Sequence, residues 1–491
     1  MTGKSVTSLF SSYKKELLWL FLIFLVSRVL AFAAGMEFDS WGIRYGAWQL
    51  INPELLKDRL GESLFYLHSQ PPLFNLFTGI VLKLFPEHYT EAFLVVHMTL
   101  GIAIIFTLFA ILKQVGVRTW IAFSITVLYA ISPSTILYEN WESYTYIIIA
   151  LLTFSSLSLL FFVQTGKSKY GFALFSFMAC LILTRSMYHI IWFVAVIALL
   201  MILRFTSFKT ILKTALIPFI IVIALFAKNY FVFGVFGSSS WFGMSLSEIV
   251  LAKLPEEKKN KLIASGEISE LSRKPAFWSI DNYAAFVHKK NPYPHIRVLT
   301  DTTNLSHPNL HNYHFIEVSD AYKKDAVKAA TRYPMDYLKN VVISFGYYFH
   351  SAGNHYDLRF NRPHLFWYNK IYNHIILGAV INPDELELEP PFQPRYLLTT
   401  SFVIVLFYAV STMVLISFVL RTWRDKSVIV QRTILLFAAL TVVYVMLIGN
   451  LFEQGENMRF RFETIILCLI ILGFTLERIT DKYFPVKAVN D

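Results

Sequence analysis

The sequence predicts an all-α polytopic membrane protein with about 10–12 transmembrane helices and a large outward-facing loop domain. The chain of 491 residues is 55% hydrophobic and only 16% charged, whereas soluble domains carry about 25% charged residues. About ten apolar stretches approach the roughly 20 residues that a helix needs to cross a bilayer core. Aromatic residues make up 16% of the chain, and Tyr and Trp are typical of the membrane–water interface.

The apolar stretches and their basic flanks predict a topology. Loops rich in Lys and Arg alternate along the chain with loops that are poor in them, which indicates that the basic loops and both termini are cytoplasmic. The remaining loops, including 35–91 and 230–395, are therefore expected to face outward. The approximate spans are 17–34, 92–112, 119–137, 143–163, 170–184, 188–203, 211–229, 396–420, 430–450 and 462–477.

Three further apolar runs do not fit this alternation as spans. The run at 71–85 is predicted to be a juxtamembrane helix on the outer side, because a full span there would move every later basic loop outside. The runs near 337–349 and 371–381 are interrupted by polar residues and are predicted to be interfacial, although a spanning role stays open. The stretch 17–34 is too long for a signal-peptide core, so no cleavable signal is expected.

The same pattern divides the chain into three parts. Residues 1–229 form a transmembrane module with the first outer loop, 230–395 form an outward-facing cap with interfacial helices, and 396–491 form the last transmembrane helices and a cytoplasmic tail. Much of the formal charge of +11 lies in the cytoplasmic loops, so nucleic acid is not an expected partner. Only two cysteines occur, both in apolar runs, which argues against a disulfide framework.

Ionisable and polar residues collect at the outward ends of the predicted helices. Charged groups at a membrane boundary carry a desolvation cost, so their clustering indicates function. If the helices bundle, these groups converge on one cavity, where cations could hold a phosphate and a carboxylate could accept a proton. The sequence therefore predicts a phosphate-bearing lipid substrate. The candidates are Asp39, His68, Gln70, Glu139, Glu142, Arg185, Lys228, Glu456, Arg459 and Arg461.

Several short motifs occur in the order seen in a known superfamily. The chain resembles GT-C glycosyltransferases, and is most similar to the branch with protein O-mannosyltransferases and the lipid A aminoarabinose transferase, which use polyprenyl-phosphate sugars. The resemblance covers the first seven helices and much of the rest. The motifs are Asp39 after the first helix, HSQPPLF (68–74), Pro133 with Glu142, LTR (183–185), KNYFVFG (228–234), RYPMDYL (332–338) and RFRF (459–462).

The resemblance implies an inverting transfer of a sugar from a polyprenyl-phosphate donor to a glycan, lipid or protein acceptor. It implies a periplasmic or extracellular site in a bacterial inner membrane, with an archaeal plasma membrane as the alternative, and with neither cofactor nor metal. Asp39 would be the catalytic base, and His68, Gln70 and Glu142 would bind substrate. Two positions depart from the family pattern: Ser40 stands where Glu often follows the Asp, and Lys228 stands where Arg is common. The predicted phosphate ligands are Arg185, Lys228, Arg459 and Arg461.

Other interpretations stay open from the residues alone. The chain could be a flippase of lipid-linked saccharides, although that class tends to show internal repeats, or a glycan ligase that uses diphosphate-linked donors. Asp39 could merely cap the helix that follows it. Arg459 and Arg461 are two residues apart, so on one helix they would diverge. The run HPNLHNYH (307–314) spaces three histidines along one helical face, but its Pro and Asn residues predict a solvated polar loop rather than a metal site.

Overall fold

The computed structural model describes residues 11–379 and 401–484, and most of this part of the chain is helical. The predicted all-α polytopic class is confirmed. The end of the loop predicted at 230–395 and the first residues of the span predicted at 396–420 lie outside the described residues. The two-residue strands β1 (Thr303–Asn304) and β2 (His307–Pro308) pair as an antiparallel hairpin, which is the only sheet in the described ranges.

A helix occupies each of the ten predicted spans. Six are long and apolar enough to cross a membrane, and α7 with α8 counts as a seventh if this pair, bent by 55°, is one span. The helices α10 and α11 are apolar but shorter. In chain order these helices are α1 (Lys14–Ala33), α6 (Tyr89–Gln114), α7 (Thr119–Ile131), α8 (Pro133–Glu139), α9 (Tyr144–Thr165), α10 (Ser168–Thr184), α11 (Ile190–Leu203), α12 (Phe208–Phe233), α19 (Phe402–Thr422), α20 (Ile429–Phe452) and α22 (Ile465–Tyr483).

Shorter helices build the connections. The bend between α7 and α8 falls at Pro133, which has no N–H to continue the preceding helix. The helix α5 has 12 residues and is about 18 Å long, too short to span, as predicted for the run at 71–85. These connecting helices are α2 (Trp41–Tyr45), α3 (Pro53–Asp58), α4 (Leu60–Phe65), α5 (Leu73–Leu84), α13 (Phe242–Val250), α14 (Glu256–Ala264), α15 (Arg297–Thr300), α16 (Phe315–Arg332), α17 (Pro334–Tyr348), α18 (Phe366–Ile375) and α21 (Asn457–Glu463).

Several predicted cytoplasmic helix ends meet at one end of the bundle. Arg118, at the start of α7, pairs with Glu477 at 2.9 Å and with Asp481 at 3.1 Å near the end of α22. The Lys113 ammonium, at the end of α6, lies 5.7 Å from the ring centre of Tyr13, just before α1. These contacts bring the start of α1, the end of α6, the start of α7 and the end of α22 to the same end of the bundle. Which compartment this end faces remains a prediction.

The helix α9 lies at the centre of the bundle. It packs on α6, α10 and α20, and most of its length is buried. Its interior polar side chains bond the carbonyls one turn back, as in Thr153 to Ile149 O (2.7 Å) and Ser156 to Leu152 O (2.9 Å). Small residues of this kind permit close helix packing in lipid. Because α9 begins at Tyr144, residues 139–143 enter the middle of the bundle.

The segment that was predicted to face outward has a hydrophobic cluster of its own. The helix α13 packs on α16 and α17, and Trp241 Nε1 donates to Leu310 O at 3.0 Å. This cluster is separate from the main core of the bundle. Its largest buried members are Trp241, Met244, Tyr283, Phe315 and Tyr322.

Candidate functional site

Two extended strands of chain hold Asp39 in place. The Asp39 N–H donates to Asn140 O at 2.8 Å, and the Glu142 N–H donates to Asp39 O at 2.9 Å. These bonds form a parallel bridge between the residues after α1 and those after α8. The Asp39 carboxylate accepts from the Trp41 N–H through Oδ1 at 2.9 Å. The bond by which Asp39 caps the following helix therefore uses only Oδ1. Asp39 also lines a cavity.

The cavity beside Asp39 has a volume of about 210 Å³ and mixes acidic, basic and aromatic walls. Glu142 is buried in its wall, and neither carboxylate oxygen has a hydrogen-bond partner. A buried polar atom without a hydrogen-bond partner destabilises a folded protein, so such an atom beside a cavity indicates a binding site for a ligand. The full lining is Asp39, Trp41, Gly42, Ala47, Gln49, Leu50, Phe74, Trp141, Glu142, Ser143, Tyr144, Asp357, Arg359, Phe360 and Arg459.

Burial perturbs the acids of this cavity. It raises the pKa of Asp39 above its ordinary value, and the hydrogen bond from Trp41 opposes that rise. It raises the pKa of Glu142 well above the ordinary range, and the nearby charge of Asp39 adds to the rise. Neighbouring acids with raised pKa values are typical of sites that accept or share protons.

Two arginines supply positive charge to the cavity. Arg459, on α21, pairs with Glu456 and reaches the Tyr144 hydroxyl at 3.3 Å, while its Nε has no hydrogen-bond partner. Arg359 is exposed at the cavity wall and makes none of the ion pairs found among the described residues. An unpaired guanidinium can bind phosphate through two parallel hydrogen bonds.

Arg461 and Arg185, both predicted as phosphate ligands, have protein partners instead. Arg461 donates to Tyr348 O and to His350 O, at 2.8 Å each, so it diverges from Arg459 as the spacing predicts. Arg185 forms a buried ion pair with Glu463. Neither lines the cavity.

The predicted residues Lys228 and His68 belong to a junction between the loop that follows α1 and the segment that follows α12. Lys228 Nζ donates to Leu67 O at 2.7 Å. The buried ring of His68 contacts Ser240 Oγ at 2.7 Å and His311 O at 2.9 Å. Gln70, next along the loop, is half-buried and outside the cavity lining. This junction fixes the loop that precedes α5.

The prediction of a solvated loop at 307–314 is wrong for His311. That ring is buried, with Nδ1 at Ser69 Oγ and Nε2 at 3.0 Å from Leu50 O. The physical reason is that the first outer loop folds against this run and supplies hydrogen-bond partners that sequence spacing cannot show. The three histidines also do not share a helix face, because His307 lies in β2 and α16 begins only at Phe315.

A second polar cluster adjoins the cavity. His355, Asp357 and Glu456 have potential ligand atoms that all lie within 4.8 Å of one another. Asp357 also lines the cavity, and Glu456 holds Arg459. Burial raises the pKa of Asp357, and His355 opposes the rise.

An apolar groove of about 710 Å³ opens beside α1. Residues of α1, of the bend between α7 and α8, and of the segment 363–368 form its walls. One piece of chain contributes to the walls of both, because Asp357 and Arg359 line the cavity and Pro363 to Tyr368 line the groove. Trp19, Val26 and Leu30 expose about half or more of their surface along it.

Comparison with known proteins gives one weak structural likeness. No protein-family description matches the chain, and no curated protein matches it. Among solved structures, it is similar to the Archaeoglobus fulgidus oligosaccharyltransferase tethered to an acceptor peptide containing the NVT sequon, with 11% identity and a TM-score of 0.42. The match covers 96% of this chain and 50% of that one, so this chain spans about half that enzyme's length. A TM-score below 0.5 does not establish a common fold, so the site geometry has to support any function.

The site contains residues that sequence reasoning missed. Asp357 and Arg359 lie in the stretch SAGNHYDLRF (351–360), in the long loop predicted to face outward, where mixed charge looks like an ordinary exposed segment. Only the close spacing of His, Asp and Arg among aromatic residues could have indicated a functional site there. Of the eight residues to which the resemblance gives a role, Asp39, Glu142 and Arg459 line the cavity.

Proposed function

We propose that this chain is a membrane glycosyltransferase that moves a sugar from a polyprenyl-phosphate donor to an acceptor, with inversion, at the periplasmic face. One observation carries the proposal: a buried carboxylate and two arginines share a cavity, and the same chain segment continues from it into an apolar groove. A lipid with an isoprenoid tail and a phosphate-linked sugar has the chemistry to occupy both.

In this proposal the groove takes the tail and the cavity takes the phosphate and sugar. The exposed α1 side chains that form one wall of the groove suit an apolar chain entering from the lipid. Arg359 and Arg459 face the phosphate. Positive charge placed where the leaving group gains negative charge lowers the barrier.

Asp39 is the proposed base. The acceptor hydroxyl or amine attacks C1 of the sugar from the face opposite the phosphate, so the new C1–acceptor bond forms as the C1–O(phosphate) bond breaks. The acceptor proton passes to Asp39, and the bonding electrons leave with the polyprenyl phosphate. A base works best when its pKa lies nearer the operating pH, and burial moves Asp39 in that direction.

Under this proposal the roles of several cations differ from those predicted from the sequence. Arg359 joins Arg459 as a phosphate ligand, while Arg185, Lys228 and Arg461 hold the walls of the site through their protein partners. Glu142 binds the acceptor or the sugar through its unpartnered oxygens. Both termini are proposed to be cytoplasmic.

A transfer assay with radiolabelled polyprenyl-phosphate sugar and a membrane extract tests the proposal. Wild-type protein should transfer label, and Asp39→Asn should lower the rate by about 10²–10⁴-fold, as expected for loss of a general base. Asp58→Asn, a change of the same type at the end of α3 and outside the cavity, is the matched control. Movement of the lipid across the bilayer without transfer would instead indicate a flippase and would overturn the proposal.

A further inference from the structure

We propose that His355, Asp357 and Glu456 form a binding site for a divalent first-row transition-metal ion at the edge of the cavity. Their potential ligand atoms lie within 4.8 Å of one another, and no other group of three such side chains in residues 11–379 and 401–484 meets this condition. The cluster joins two distant parts of the chain, the segment after α17 and the loop before α21.

The imidazole of His355 is the strongest single indication. The side chain is fully buried, and its Nε2 has no hydrogen-bond partner. The nearest carboxylate oxygen, Glu456 Oε1, lies 3.9 Å away. That distance is too long for a hydrogen bond, but two ligands that each lie about 2.1 Å from one ion can be up to about 4.2 Å apart.

The set of ligands limits the kind of ion. One imidazole with two carboxylates suits Mn²⁺ or Zn²⁺, whereas Mg²⁺ prefers oxygen ligands and several waters. The third side of the cluster faces the cavity through Asp357. An ion held there would keep a coordination position open toward a ligand in the cavity.

Two neighbouring contacts are compatible with this site. The two carboxylate oxygens of Glu456 have different partners. Oε2 pairs with Arg459, while Oε1 faces His355 and accepts a hydrogen bond from the Tyr356 hydroxyl at 2.5 Å. A carboxylate oxygen has two lone pairs, so Oε1 can accept that bond and still ligate. His355 Nδ1 accepts a long bond of 3.3 Å from the Asp357 N–H. Ligation through Nε2 moves the ring proton to Nδ1 and gives up this one weak contact.

The ion would add positive charge to the wall where Asp357 and Arg359 lie. This part of the inference rests on the proposed function, in which that wall faces the donor phosphate. It departs from the family resemblance, which implies no metal. Metal binding can be measured without donor or acceptor, so a failure of the metal site can be distinguished from a failure of the proposed sugar transfer.

The test is Mn²⁺ binding by the purified full-length protein in detergent, without a polyhistidine tag and after treatment with chelator. We expect one Mn²⁺ per chain by electron paramagnetic resonance, with nitrogen coupling from a single imidazole in pulsed spectra, and Zn²⁺ should displace it. His355→Gln and Asp357→Asn should each weaken binding at least tenfold, because they remove direct ligands. The matched controls are His307→Gln and Asp301→Asn, which lie outside the cluster.

Three results would overturn the proposal. They are the absence of stoichiometric Mn²⁺ binding to wild type, bound Mn²⁺ without nitrogen coupling, and equal affinity in the cluster and control variants. The pulsed spectra use wild type alone, so they decide the question even if a cluster variant fails to fold. If metal binds as expected but no sugar is transferred, the metal site stands and the glycosyltransferase proposal fails.

Discussion

Glu139 and Glu142 lie three residues apart, are both buried, and have opposite surroundings. Glu139 accepts two hydrogen bonds from Arg28, at 2.7 and 2.8 Å, and one from the Tyr146 hydroxyl at 2.6 Å. Glu142 has no partner for either oxygen and faces the cavity. A buried acid whose bonds are satisfied by the protein serves the fold, whereas one left unsatisfied beside a cavity is available to a ligand.

Gly101 illustrates how closely the bundle is built around the paired acid. A Cβ at this position on α6 would lie 2.5 Å from Glu139 Oε2 and 2.9 Å from the Tyr146 hydroxyl. The backbone of α6 can approach the ion pair only because this residue has no side chain. The network around Glu139 therefore leaves no room for a ligand.

The largest expected effect concerns the paired acid. Glu139→Gln leaves the Arg28 charge buried without its counter-ion, so the free energy of unfolding should fall by about 3–5 kcal/mol. Unfolding in mixed detergent micelles measures it. Stability equal to wild type would mean that the two glutamates do not differ as the comparison requires.

The matching change at the unpaired acid should act on function instead. Glu142→Gln breaks no hydrogen bond within the protein, so the free energy of unfolding should change by about 1 kcal/mol or less. Sugar transfer should fall about tenfold, since a hydrogen bond from substrate to one of these oxygens contributes up to about 1.5 kcal/mol. Wild-type transfer by this variant would contradict a ligand-binding role for Glu142.

Arg359 should behave as Glu142 does, with a smaller effect. Arg359→Gln removes an exposed guanidinium from the cavity wall, so the KM for the donor should rise about tenfold, with little change in stability. Arg44→Gln is the control, because Arg44 is also exposed near Asp39 but does not line the cavity. Equal KM values in the two variants would remove Arg359 from the proposed phosphate site.

The junction of His68 and His311 gives the most gradual effect, a dependence of stability on pH. Burial lowers the pKa of His68 to about 3 and that of His311 to about 4, whereas both titrate near 6.5 when unfolded. As pH falls below about 6.5, the unfolded chain takes up protons first, so stability is lost toward pH 4, by up to about 1.4 kcal/mol per pH unit for each ring.

Removing one ring tests that dependence. His68→Asn should reduce the slope of the free energy of unfolding between pH 6.5 and 4, even if stability at neutral pH also falls. His88→Asn is the control because His88 is exposed. A slope unchanged in His68→Asn would show that these rings do not set the acid sensitivity.

Much of the fold could be predicted from sequence because the bilayer imposes a simple length rule. Each predicted span coincides with a helix, and the alternation of basic loops agrees with the meeting of Arg118 and Glu477 at one end. Bends within a span were harder to predict. The apolar run through Pro133 reads as one segment in sequence, whereas the chain bends there into two helices.

The site was predictable only in part. Asp39 follows the first helix and Glu142 precedes α9, so their positions relative to apolar runs indicate the outward end. The partner of each cation depends on contacts between remote segments. Arg185 meets Glu463 and Arg461 meets the carbonyls after α17, so charge and position alone could not distinguish them from Arg459.

The sequence by itself determined that this chain is a helical multi-pass membrane protein with its polar residues gathered toward one end, because apolar length and basic flanks are local properties that the bilayer acts on directly. The tertiary structure decided which buried charges are paired and which remain free, because pairing depends on which residues far apart in the chain come within about 3 Å. It brought residues 355–360 and 456–459 close to Asp39. These segments form the walls of the cavity and the cluster of His355, Asp357 and Glu456, on which the two proposals depend.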